Sequence, residues 1–163
     1  MRSLMLVATM VAAGCGGSSS MLSQRIGDYR ATANSLAVVV DAHAKSTAAA
    51  DPSTCAAAMA DYASKAGALV DRMQSMSGGM DQCMSSLGRA DQADFAANCA
   101  AIRSELDAHA KSGCSATDLA AEMTRHGAAM KGHTSREIDR MGQMDGLESG
   151  MSSSMMGRLP GCT

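Results

Sequence analysis

Aromatic side chains are almost missing from this chain: two tyrosines, one phenylalanine and no tryptophan occur in 163 residues. Strands draw heavily on aromatic and β-branched residues, so the scarcity argues against a sheet-based core. Proline is confined to Pro52 and Pro160, which leaves long stretches without a helix breaker. There is no excess of basic charge; the formal net charge is -2. The electrostatic footprint of a nucleic-acid partner is therefore absent. After the first apolar run, of about ten residues, no stretch approaches the length that spans a bilayer.

Motifs with a known catalytic geometry are also missing. The chain contains no HExxH, P-loop, GxGxxG or GxSxG pattern, and no CxxC or CxxCH. Glu105, Glu122, Glu137 and Glu148 have no histidine three residues on, so the Glu-x-x-His pairs of di-iron bundles are not formed. We expect no enzyme.

What is present is alanine, methionine and a repeat. Met occurs 16 times, well above ordinary usage, and alanine largely takes the place of Leu, Ile and Val. Both residues favour helix. Buried alanines remove little apolar area, so the core should be thin and in need of covalent help.

The N-terminus carries an address. Arg2 precedes an apolar run over residues 4–13, followed by small residues and a cysteine. The word Ala12-Ala13-Gly14-Cys15 resembles the lipobox of bacterial lipoproteins, with Ala12 where that family prefers Leu or Val. The resemblance covers about twenty residues. It implies a signal peptide over 1–14, cleaved before Cys15, with lipid on the Cys15 thiol and then on its amino group. Acyl chains stabilise membrane attachment by about 0.8 kcal/mol per buried methylene, so two or more anchor stably. The resemblance thus makes the membrane the first partner. Gly16 follows the lipidated cysteine, where Asp often signals inner-membrane retention in that family, so the outer membrane is favoured. Residues 15–20, rich in Gly and Ser, read as a flexible tether.

Asp41-Ala42-His43-Ala44-Lys45-Ser46 recurs word for word as Asp107-Ala108-His109-Ala110-Lys111-Ser112. Met59 and Asp71-Arg72-Met73 follow the first copy; Met123 and Asp139-Arg140-Met141 follow the second. Each unit reads as an α-hairpin, and two hairpins make an all-α, up-down four-helix bundle over residues 21–142. The first helix should bury Leu22, Ile26, Tyr29, Ala33, Leu36, Val40 and His43. The second starts at Asp51-Pro52 and should bury Cys55, Met59, Tyr62, Ala66, Leu69, Met73 and Met76, before a connection marked by Gly78, Gly79 and Gly88. The third starts near Asp91, buries Phe95, Cys99, Ile102, Leu106 and His109, and stops at Gly113. The fourth begins at Ser115, whose spacing to Asp118 resembles a capping box, and buries Leu119, Met123, His126, Met130, His133, Glu137, Met141 and Met144. Residues 143–163, rich in Met, Ser and Gly, read as a disordered tail.

With Cys15 assigned to lipid, five cysteines remain in an oxidising compartment, where disulfides are the expected use. Cys55 and Cys114 lie at the same end of an up-down bundle and should pair. Cys83 and Cys99 should pair if the connection folds back, which leaves Cys162 odd.

The candidate chemistry lies with histidine and methionine. The repeat places His43 and His109 at equivalent positions near one end, where Met59, Met123 and His126 also fall. Met130 and His133 continue that face of the fourth helix. Imidazole with thioether suits copper, and thioether particularly suits Cu(I). Methionine groups of this kind resemble those of exported copper-handling proteins. The plainer expectation is that Met fills the core and His43 and His109 serve helix ends. Haem held by His and Met is disfavoured by the lack of aromatics to line its pocket. The functional expectation is a membrane-anchored envelope lipoprotein with a structural role or an envelope protein partner, and a copper-binding protein as the alternative.

Overall fold

A computed structural model describes residues 21–47, 52–115, 118–151 and 158–162. The signal peptide, Cys15, the tether and Asp51 lie outside the described residues, as do tail residues 152–157 and 163. Four helices carry the fold: α1 (Met21–Thr47), α2 (Pro52–Ser86), α3 (Phe95–Ser112) and α4 (Leu119–Ser149), with single 3₁₀ turns at Ala90–Gln92 and Gly113–Ser115. Each packs on its sequence neighbours and α1 closes against α4, so the four form an up-down bundle. No described helix is long and apolar enough to cross a membrane.

The apolar stripes are the ones that helical spacing demands. All seven expected residues of α1 are buried, as are all five of α3. On α2 the stripe turns slightly: Val70 is fully buried and Leu69 only packs at its edge. On α4, Thr134 is buried where His133 was expected, and His133 is half-buried. Met73, Met80, Met84, Met141 and Met144 are buried together with Leu22, Ile26 and Phe95 in one core, so these methionines are packing residues.

The helix ends are set by identifiable bonds. Gly78 and Gly79 do not end α2, which runs eight residues past Gly78 to Ser86. A side chain at Gly79 would meet Arg25 Nη1 at 3.0 Å, and Arg25 donates to the Gly161 carbonyl at 3.0 Å. Gly79 is therefore there for close approach. The helix ends instead at Gly88, with φ of 73°, where Gly88 N–H bonds to Ser85 O and Arg89 N–H to Met84 O. That is the double bond of a Schellman closure. Helix α3 starts at Phe95 rather than near Asp91, which sits in the 3₁₀ turn. Its first amides are capped from a neighbouring helix: Asp81 of α2 accepts from Phe95 N–H at 2.7 Å and from Ala96 N–H at 3.0 Å. Ser115 belongs to a 3₁₀ turn, and the N-cap of α4 is Asp118, which accepts from Ala121 N–H at 2.9 Å.

Two disulfides staple the bundle. Cys55 joins Cys114, as expected from their placement at the same end of an up-down bundle. Cys83 joins Cys162 and not Cys99, which is a free, buried thiol 3.2 Å from the Tyr29 hydroxyl. The expected Cys83–Cys99 pair, and the odd Cys162, are thus replaced. Cys99 sits on the core face of α3, between Phe95 and Ile102, where Cys83 does not reach it. The tail differs too. Helix α4 continues to Ser149, and residues 158–162 lie against α2, with Ser86 donating to the Pro160 carbonyl at 3.0 Å.

Candidate functional site

At the end of the bundle that carries the Cys55–Cys114 bridge, each helix contributes one ring: His43 from α1, Tyr62 from α2, His109 from α3 and His126 from α4. All four are buried. His43 stacks on Tyr62 with centroids 4.0 Å apart, and His109 stacks on His126 at 3.7 Å. The two stacks meet nearly at right angles.

The polar atoms of the rings form ordered pairs. His109 Nδ1 lies 3.0 Å from Glu122, and His126 Nδ1 lies 2.8 Å from Glu105. Arg125 bonds both carboxylates from outside. Hydrogen bonds from Arg125 and His109 bring the Glu122 carboxyl down to about 2. Burial pushes Glu105 up, but bonds from Arg125 and His126 outweigh it and the net shift is downward. Both are carboxylates near neutral pH, so each accepts a proton-bearing Nδ1. Burial lowers His126 against the pull of Glu105, so its Nε2 is an acceptor. It takes the Tyr62 O–H at 2.8 Å, and Tyr62 is itself held protonated by burial and by Glu105.

The last link is between histidines. His43 Nε2 and His109 Nε2 face each other at 3.2 Å. One of the two nitrogens supplies the proton of that bond. Burial, and then the neighbouring imidazoles, bring His43 down to about 4, so it is neutral. Its Nδ1 is left buried, with no hydrogen-bond partner.

Two thioethers flank the rings. A side chain at Gly113 would lie 2.5 Å from the Met59 methyl and 2.9 Å from His109 Cε1, so Met59 and His109 crowd the same point. Thr47 Oγ1, with one proton to give, lies 3.0 Å from Met123 Sδ and 2.8 Å from the His43 carbonyl.

Of the seven residues expected at this site, His43, His109 and His126 come together, with Met59 and Met123 at their margin. Met130 is fully buried in the apolar core. His133 is held elsewhere, its Nδ1 2.6 Å from Asn98 Oδ1. Among the described residues no three His, Cys, Asp or Glu side chains are grouped as a metal site. The rings are directed at one another, and His126 Nε2 is taken by Tyr62. Sequence reasoning missed Tyr62, Glu105, Glu122 and Arg125 as members. Tyr62 was legible only as a core position; Glu122 and Arg125 pair locally at i,i+3, but their bonds to His109 and Glu105, and that of Glu105 to His126, span 13 to 21 residues between α3 and α4.

Comparison with protein families, with characterised proteins and with solved structures found no match for this chain.

Proposed function

We propose that this chain is a lipid-anchored protein of the bacterial cell envelope whose helical bundle has a structural or partner-binding role. The observation that supports export is the pairing of four cysteines into two disulfides that join distant segments, a use of cysteine suited to an oxidising compartment. The lipobox-like word at Cys15 supplies the anchor. Labelling with a radioactive fatty acid in a bacterial host tests this, with Cys15→Ala as control. We expect label on the parent chain and none on the variant; equal label in both excludes the anchor.

A specific observation favours a second reading, that the same bundle takes up Cu(I). The imidazoles of His43 and His109 face each other through Nε2, and thioethers lie at hand. Cu(I) accepts few, soft ligands, so two imidazoles and a thioether suffice without a third histidine or carboxylate. The carboxylate on His109 Nδ1 is the support that metal-bound histidines commonly use. An ion about 2.0 Å from each nitrogen, as is usual for metal–imidazole bonds, requires the rings to part by less than about an ångström and the proton between the two nitrogens to leave, to His43 Nδ1 or to solvent. Competition with a chromogenic Cu(I) chelator is the test. We expect one ion per chain, lost in His43→Phe and kept in His133→Ala; no competition by the parent chain ends this reading.

A further inference from the structure

Two of the four rings belong to a relay that crosses three helices. Tyr62 of α2 gives its O–H to His126 Nε2 of α4 at 2.8 Å, and His126 Nδ1 lies 2.8 Å from Glu105 of α3. Phenol, imidazole and carboxylate therefore stand in line, as acid, base and anion. Tyr62 and His126 are buried, and Arg125 bonds Glu105 from the exposed side. The outer edge of Tyr62 lines the groove between α1 and α2.

This order of groups suits one reaction. A phenol that loses an electron becomes a strong acid, because its proton then sits on a cation. Burial already penalises the charged phenolate of Tyr62 and holds its proton on well above the ordinary range. In such a place the ring gives up an electron only if its proton leaves at the same time. His126 Nε2 is in hydrogen-bond contact with that proton, the geometry a proton acceptor needs. The imidazolium that results faces the Glu105 carboxylate in a charge-assisted bond. Tyr29, the second tyrosine of the chain, has the Cys99 thiol 3.2 Å from its hydroxyl, and a thiol is a weak acceptor.

We propose that Tyr62 is a redox-active tyrosine that yields one electron to a small one-electron oxidant, such as a peroxyl radical, while its O–H proton crosses to His126 Nε2. The O–H bond breaks and an N–H bond forms. The products are a neutral tyrosyl radical, an imidazolium paired with Glu105, and the oxidant reduced by one electron. One electron from a reductant and return of the same proton restore the phenol. The relay uses neither the His43–His109 contact nor copper, and it is tested on metal-free protein.

Photogenerated tris(bipyridine)ruthenium(III) is the oxidant, acting on the full chain with its disulfides intact and a chelator present. The chain has no tryptophan and two tyrosines, so in Tyr29→Phe a tyrosyl radical can arise only at Tyr62. We expect that variant to form the radical, seen by transient absorption and by electron paramagnetic resonance, and to form it more slowly in heavy water. Adding Tyr62→Phe should abolish the signal. Adding His126→Phe instead keeps a ring against His109, removes the acceptor and should slow radical formation about 100-fold or more. Glu105→Gln should slow it by a smaller factor. The isotope effect needs no change at His126, so it stands even if His126→Phe does not fold. No radical in Tyr29→Phe, equal rates in light and heavy water, or an undiminished rate in folded His126→Phe overturns the assignment.

Discussion

Glu137 is an acid on a core face. It is fully buried on α4, accepts from the Asn98 amide at 2.6 Å, and burial brings it up to about 7 despite that bond. A carboxyl raised in the folded state favours folding below its unfolded value near 4.5, and that contribution is lost as pH rises through 7. His43 acts the other way: held near 4, it favours folding above the ordinary histidine value of 6.5, and that contribution is lost as pH falls toward 4. Burial lowers His126 and His133 as well, so three histidines slope against Glu137 in this window. We expect the parent chain to lose stability as pH falls from about 7 to 5, with Glu137 offsetting part of the loss. Glu137→Gln should steepen that loss and should be more stable than the parent at pH 8 by up to about 3 kcal/mol. Urea denaturation at several pH values checks this. A parent-like profile for Glu137→Gln would mean that Glu137 is not the opposing group.

At the scale of the element, glycines of the helices fall into two kinds. Gly127 and Gly132 of α4 have open space where a side chain would be, and neither has positive φ. Replacing each by Ala should stabilise the protein by about 1 kcal/mol, the ordinary helix-propensity difference. Gly113, at the end of α3, is the opposite case. A methyl there would sit 2.5 Å from the Met59 methyl and within 3.1 Å of two His109 ring atoms. Gly113→Ala should destabilise the protein and disturb the ring cluster, read by thermal melts and by the histidine resonances. The sequence marks Gly113 as a helix stop and Gly127 and Gly132 as weak points within a helical pattern. Only the packing around them separates the permissive positions from the crowded one.

At the scale of the molecule, the thin core is closed by cross-links and by its C-terminal strap. Cys83 and Cys162 are 79 residues apart, and Gly161, with φ of 79°, approaches so closely that a side chain there would lie 2.7 Å from the Cys83 amide. A loop of that length lowers unfolded-state entropy enough to stabilise the fold by about 4 kcal/mol in the chain-entropy account. We expect Cys83→Ala to lower stability by roughly that order, and Cys162→Ala to match it, since either change opens the same loop. Cys99→Ala should leave both disulfides in place. Disulfide mapping with melting curves of the three variants decides this; loss of a bridge in Cys99→Ala would restore the discarded pairing.

The sequence by itself determined the class and the faces. Alanine and methionine set helix propensity, and spacing placed the apolar stripe of α1 and of α3, though not buried Thr32, Thr47 and Asn98, because helical periodicity is a local property. The duplicated word was enough to put His43 and His109 at one end of the bundle. What the tertiary structure decided was everything that depends on approach between distant segments. Gly79 stays inside α2 because Arg25 and the Gly161 carbonyl press on it, Asp81 caps a helix other than its own, and Cys83 reaches Cys162. The ring cluster shows the same division. Its histidines were legible, but the carboxylates of Glu122 and Glu105 that hold His109 and His126 reach them across a helix interface that no local pattern records.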